Sequence, residues 1–215
     1  SLTSEIIFMK KIKCILFDLD GTLVNTGPDL LNSLNFTLKI NKVNTLKIDE
    51  LGNLVGGGAA EMIKKAYILN KKKLDLSKLP KLVDQFLDYY KKNTAKNSSL
   101  YPNVLITLKY LKKNNFKLGV CTNKKQELAE KVLKELGIFK YFSVILGSSN
   151  KHKLKPDTEM LHYCMRKLNT EKNEVLMIGD SVNDILPSNK LSISSIFVNY
   201  GYGKTGHSLV FSANF

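Results

Sequence analysis

Arginine is almost absent from this 215-residue chain: Arg166 is the only one, although lysine and arginine together number 33 against 19 acidic residues, for a formal charge of +14. A surplus of that size raises the question of a polyanionic partner such as nucleic acid. Paired recognition of phosphate oxygens favours the planar guanidinium, however, and the lysines here are spread along the whole chain among many asparagines. The charge therefore reads as solvated lysine-rich faces, with a basic polyanion-binding protein kept as the non-enzyme alternative. Cysteine is scarce too. Cys14, Cys121 and Cys164 are dispersed in apolar stretches with no Cys-x-x-Cys pair, which argues against a disulfide framework or a zinc site and suits a reducing cytoplasm. His152, His162 and His207 follow no ligand pattern. No apolar run approaches the roughly 20 residues needed to cross a bilayer, so no membrane partner is expected. Residues 1–8 lack the pattern of a secretory signal, and Met9, opening MKKIK, is a candidate natural start.

What the chain does have is alternation. Short apolar runs at 12–17 (IKCILF), 116–121 (FKLGVC), 143–146 (SVIL), 174–178 (EVLMI) and 194–198 (SSIFV) read as strands buried on both faces. Between them, 103–113, 125–136 and 157–168 show apolar residues at helical spacing, with Pro102 suited to a first helical turn and Gly137 to a C-terminal cap. Strands alternating with helices predict an α/β fold, a doubly wound parallel sheet covered by helices.

Residues 28–95 break that rhythm. They hold no strand-like run, yet Leu30, Leu31, Leu34 and Leu38, then Leu79, Leu82, Val83, Phe86 and Tyr90, repeat at helical spacing. The expected organisation is an α/β core from 1–24 and 96–215 with a helical insertion at 25–95. Its hinges are expected at Asn25-Thr26-Gly27 and at 95–99.

The chemistry is carried by FDLDGTL, residues 17–23, which places Asp18 and Asp20 two positions apart at the end of an apolar strand. In an open α/β sheet that end faces the ligand crevice. Two carboxylates so close need a proton, a lysine or a divalent cation beside them. A second acidic group, Asp180 and Asp184 in GDSVND, follows another predicted strand. An all-oxygen cluster of this kind suits Mg²⁺. Thr122 and Asn123 end the strand at 116–121 before a helix N-terminus that favours anions, and Lys155 follows a strand and loop. Carboxylates, a dication, a hydroxyl, an ammonium and a helix N-terminus together describe a phosphate site.

These motifs, FDLDGTL, CTN, KP and GDSVND in that order, resemble those of the haloacid dehalogenase superfamily over nearly the whole chain. The resemblance implies a Rossmann-like core with an inserted helical cap. It implies Asp18 as the nucleophile that becomes an aspartyl-phosphate, and Asp20 as the acid and base. Mg²⁺ would be held by Asp18, the Asp20 carbonyl and Asp180, with Asp184 acting through water or by orienting Lys155. Thr122, Asn123 and Lys155 would hold the phosphoryl oxygens. An acid at position 20 favours phosphoryl transfer over dehalogenation, since a halide leaves without a proton.

Within the superfamily the chain is most similar to phosphoglycolate phosphatases, through FDLDGTLVNTGPDL, VGGGAAEMIKKAY, YPNV and NYGYG. Gly56, Gly57 and Gly58 before a helical run would then present backbone N–H groups to a substrate carboxylate. Asn25 stands where that motif commonly carries aspartate. Pro187 is harmless only if it falls in the first turn of the helix after Asp184. The expectation is a phosphatase of a small phosphorylated metabolite, 2-phosphoglycolate first, as monomer or homodimer. Pyrophosphatase, sugar phosphomutase and phosphonate hydrolase remain alternatives; the mutase is weakened because 28–95 has no arginine, and the phosphonate hydrolase needs a cap lysine such as Lys64 or Lys65.

Overall fold

The computed structural model describes residues 11–52 and 54–203; Met9 and His207 lie outside the described residues. Five strands form one parallel sheet: β1 (Cys14–Phe17), β4 (Lys117–Lys125), β5 (Val144–Ser148), β6 (Val175–Gly179) and β7 (Ser194–Phe197), in the order β5-β4-β1-β6-β7. The chain builds outward from β1 on one side and then crosses to the other, the doubly wound pattern that opens a crevice at the strands' carboxyl ends.

The strands are buried on both faces because their side chains alternate between two apolar clusters. Ile15 and Phe17 of β1 join Leu118, Val120 and Leu176 beneath α4 (Val104–Lys113) and α5 (Gln126–Glu135). Cys14 and Leu16 join Val175, Met177 and Cys121 beneath α6 (Glu159–Leu168). The three cysteines are free, buried thiols. Gly137, at φ 73°, ends α5 as expected, with Ile138 N–H reaching back to the Leu133 carbonyl.

Two expectations about proline need correction. Pro102 lies before the helix rather than in its first turn: α4 starts at Val104, after Asn103 in the left-handed conformation. Pro187 is buried deep within α7 (Val182–Leu191), where it deprives the Asn183 carbonyl of its donor, yet the helix continues to Leu191.

Between β1 and β4, three helices gather around a third cluster: α1 (Gly27–Ile40), α2 (Gly58–Leu69) and α3 (Leu79–Lys92). Leu34, Leu38, Ile63, Phe86 and Tyr90 are among its buried members, and Leu128 of α5 packs against it from the sheet side. The segments expected as hinges pair with one another: β2 (Val24–Asn25) and β3 (Ser99–Leu100) form a short antiparallel ladder. Asp29 at the start of α1 accepts from the Asn97 backbone, the Asn97 amide and Ser98 Oγ, tying the two crossings together. No helix among the described residues is long and apolar enough to cross a membrane.

Candidate active site

Asp18 is the first residue past β1, and its N–H still donates to the Ile178 carbonyl of β6 at 2.9 Å. The strand's apolar residues fix the sheet, and the sheet carries the carboxylate to the rim, where it is only 5% exposed. The chain then turns sharply, with the Leu19 carbonyl accepting from Thr22, Leu23 and Val24. Gly21 makes this possible at φ +86°: a Cβ there would run into the Asp180 carboxylate and the Tyr202 ring.

Asp180 follows β6 in the same way. Its Oδ2 accepts from Tyr202 N–H at 2.6 Å and Gly203 N–H at 3.1 Å, and Thr22 Oγ lies 3.3 Å from Oδ1. Asp184 completes a capping box with Ser181 at the start of α7, taking Ser181 N–H and Oγ on Oδ2. Its other oxygen receives Lys155 Nζ at 2.5 Å. Lys155 also donates to the Cys121 carbonyl at 2.6 Å and is ion-paired with Asp18 at 3.1 Å. Asn123 clamps the Lys155 backbone, accepting its N–H at 2.9 Å and donating to its carbonyl at 2.8 Å, and gives its remaining proton to Gly56 O at 3.0 Å.

Asp20 has different company. Thr26 Oγ donates to Oδ1 at 2.6 Å, while Lys124 Nζ reaches the two oxygens at 2.9 and 3.1 Å and sits over the Tyr90 ring, 4.5 Å from its centroid. Sequence reasoning missed Lys124. It ended the strand at Cys121 with a helix N-terminus directly after Asn123, whereas β4 runs to Lys125 and α5 begins at Gln126. The available signal was a lysine two positions after Thr122, hence on the same face of an extended chain. Tyr202 was missed too: its hydroxyl accepts from Gly27 N–H at 2.6 Å and donates to Asn25 Oδ1 at 2.5 Å. The neutral amide at position 25 thus serves as a hydrogen-bond acceptor at the hinge.

Four carboxylates face two ammoniums here, a surplus of two negative charges in a buried place. Burial pushes Asp18 up to about 8, with Asp184, Asp180 and Asp20 adding to the rise and Lys155 opposing it. Burial and Asp184 likewise push Asp180 up to about 6, against the pull of the Gly203 and Tyr202 N–H groups. Burial works against the charge on both lysines. Asp20 beside Lys124, and Asp18 and Asp184 beside Lys155, more than offset it and hold both above the usual lysine range. One carboxylate oxygen from each of Asp18, Asp180 and Asp184 falls within 4.8 Å of the others. Hard, anionic oxygen donors with an unmet charge of two fit a divalent cation. Both Asp184 oxygens are committed to Lys155 and Ser181, and Asp180 gives Oδ2 to two N–H groups with Thr22 Oγ 3.3 Å from Oδ1.

Beside the cluster lies a cavity of about 290 Å³. Asp18, Asp20, Thr122, Asn123 and Lys124 line one side, and Gly56, Gly57 and Gly58 with Phe86 and Tyr90 line the other. Asp180, Asp184 and Lys155 stand behind Asp18 rather than on its wall. α2 opens at Gly58 with no side chain capping its first turn, so backbone N–H groups there remain available. The Gly56 carbonyl accepts from Asn123 and from Asn183 at 3.2 Å, joining the helical segment to both β4 and α7.

The arrangement gathers buried carboxylates at strand ends beside a cavity, and the chain that carries it is similar to known proteins over most of its length. A phosphoglycolate phosphatase of Agrobacterium fabrum is 36% identical over 187 residues, covering 87% of this chain and 80% of the relative. One of Colwellia psychrerythraea is 36% identical over 197 residues, covering 90% and 87%. The crystal structure of a predicted phosphoglycolate phosphatase from Haemophilus somnus 129pt superposes with a TM-score of 0.83 at 33% identity, over 91% of this chain and 88% of that one. The family model for haloacid dehalogenase-like hydrolases matches residues 15–198, from the middle of β1 to just past β7. With its strand-end aspartates, its sheet order and its helical insertion, this chain belongs to the haloacid dehalogenase-like hydrolases.

Proposed function

We propose that this enzyme is a Mg²⁺-dependent phosphatase of small phosphomonoesters acting through an aspartyl-phosphate, with 2-phosphoglycolate as its substrate. The observation that carries the reading is Asp18: a buried carboxylate at the end of the central strand, on the wall of a small cavity, with Lys155 3.1 Å behind it. The substrate assignment rests on the relatives named above, at 36% identity over most of both chains.

Asp18 Oδ attacks phosphorus, the bond from phosphorus to the ester oxygen breaks, and Asp20 gives its proton to the departing oxygen. Asp20, now ionised, takes a proton from water as that water attacks phosphorus; the acyl-phosphate bond breaks, freeing inorganic phosphate and the Asp18 carboxylate. Lys124 and Thr26 hold the Asp20 carboxylate in place for both transfers. Lys155 favours the ionised form of Asp18 against the effect of burial and is itself steered by Asp184 and the Asn123 clamp. Thr122 and the Gly57–Gly58 backbone are the groups on the cavity wall for phosphoryl and substrate oxygens. Asp18, Asp180 and the Asp20 carbonyl would hold Mg²⁺, which would neutralise charge on the phosphoryl oxygens.

The helical segment at 25–95 acts as a cap. It contributes the cavity's far wall and touches the core through the Gly56 carbonyl, so it restricts substrates to those that fit within about 290 Å³.

The test is phosphate release, with and without Mg²⁺, from p-nitrophenyl phosphate and a panel of 2-phosphoglycolate, pyrophosphate, nucleoside monophosphates and hexose phosphates. Asp18→Asn is expected to lower turnover by about 10⁴-fold while leaving the fold intact. Equal rates for parent and variant end the phosphatase reading; a higher kcat/KM for another member of the panel ends the phosphoglycolate one.

A further inference from the structure

Among the described residues, one buried side-chain oxygen or nitrogen has no hydrogen-bond partner: the hydroxyl of Tyr90. Native interiors rarely leave a donor in that state, and an orphan usually marks a place where a partner is absent. Tyr90 is 1% exposed, in the last turn of α3, and it lines the same cavity as Asp18 and Asp20. Its ring is held from two sides, stacked on Phe86 with centroids 6.0 Å apart and covered by Lys124. Lys124 gives two protons to Asp20 and acts on the phenol through its charge and as a donor only, so the phenol's own proton has no acceptor among the described residues. Burial pushes the phenol up to about 12, so the hydroxyl keeps its proton and stays a donor.

A second observation points the same way. Gly57 and Gly58 lie on the cavity wall at the uncapped start of α2, where backbone N–H groups favour an anion. A phenol donor and a helix N-terminus facing one cavity match an acceptor that carries negative charge, because hydrogen bonds to an anion are roughly twice as strong as neutral ones.

We propose that Tyr90 is a specificity-determining residue: its hydroxyl donates, together with the N–H groups of the α2 N-terminus, to a carboxylate on the non-phosphate end of the substrate, so that phosphorylated acids are preferred over the matching phosphorylated alcohols. This rests on the phosphatase reading and deepens it, since it assigns the substrate class to a side chain of this chain. A site built to hydrogen-bond a substrate group rejects analogues lacking that group.

The experiment compares kcat and KM of the parent and Tyr90→Phe on two matched pairs, 2-phosphoglycolate with 2-hydroxyethyl phosphate and 3-phosphoglycerate with glycerol 3-phosphate, with p-nitrophenyl phosphate as control. Tyr90→Phe removes one oxygen and keeps the ring, and its Tm is measured alongside. The expected result is a rise in KM of roughly tenfold on the better acid, with its alcohol and the control changed less than about twofold. Equal losses on acid and alcohol, unchanged kinetics on the acid, or a parent without preference for acids overturns the assignment while leaving the phosphatase standing. A parent inactive on every ester with Mg²⁺ overturns both. A parent that prefers 3-phosphoglycerate removes phosphoglycolate as the substrate, yet supports the role of Tyr90 if the acid-specific loss persists.

Discussion

Asp18 and Asp20 are two residues apart and live in opposite surroundings. Asp18 belongs to a lattice anchored in the sheet: Asp180 comes from a strand end, Lys155 from a loop and Asp184 from the first turn of α7, and burial, with the neighbouring carboxylates adding to it, pushes Asp18 up to about 8. Asp20 is held by Thr26 from the hinge and Lys124 from β4, one hydroxyl and one ammonium around a single acid. The first arrangement stores surplus negative charge that a cation relieves. The second pairs one carboxylate with one ammonium. Under the proposed mechanism the first region handles charge and the second proton transfer.

Removing Lys155 attacks that difference most strongly. Lys155→Ala leaves Asp18 and Asp184 facing each other without their shared cation, both carboxylates being nearly inaccessible to solvent. The variant is expected to lose about 3–5 kcal/mol in urea unfolding, part of it recovered with Mg²⁺. A loss of under about 1 kcal/mol means the carboxylates take up protons at little cost and the lattice is not under charge strain.

Lys124→Met probes the other side. Turnover of alkyl phosphates is expected to fall by about 10² and that of p-nitrophenyl phosphate by less than about threefold, because nitrophenolate leaves without a proton. Equal falls on both would place Lys124 in phosphate binding and erase the contrast between the two regions.

A third test is the pH dependence of stability. Asp18 at about 8 and Asp180 at about 6 both lie above the usual carboxylate range. Between that range and those values the folded state therefore binds more protons than the unfolded one, and stability falls as pH rises. Metal-free protein should lose stability steadily from about pH 4 to 8, and saturating Mg²⁺, which requires the ionised carboxylates, should flatten the slope. A metal-free stability that rises over this window contradicts the crowding of the Asp18 lattice.

Much of this was legible before any coordinates. Each core strand is recognisable as a short apolar run, Asp18 and Asp180 stand just after such runs, and Lys155 follows a strand and a loop. Boundaries were less legible. β4 runs past Cys121 to Lys125, with a register irregularity against β5 on the way, and no local propensity announces that extension. Pro187 was readable as a risk to α7, but that the helix would carry on around it is decided by packing, since Pro187 is buried in place. Lys124 was invisible for a related reason: in a chain so rich in lysine, one more at a strand end carries no mark of being buried.

The sequence alone determined the sheet, the order of the motifs and the strand-end carboxylates, because two-face burial and sharp glycine turns are properties of neighbouring residues. The tertiary structure alone decided which charge answers which. Lys124 and Asp20 are 104 residues apart, and Thr22 and Asp180 are 158 apart. Such groups meet only because the sheet order sets β4 and β6 on either side of β1. Coulomb attraction and hydrogen bonding act over a few ångströms, so the partners of Asp20, and the unpaired hydroxyl of Tyr90 beside them, exist only once the chain has folded.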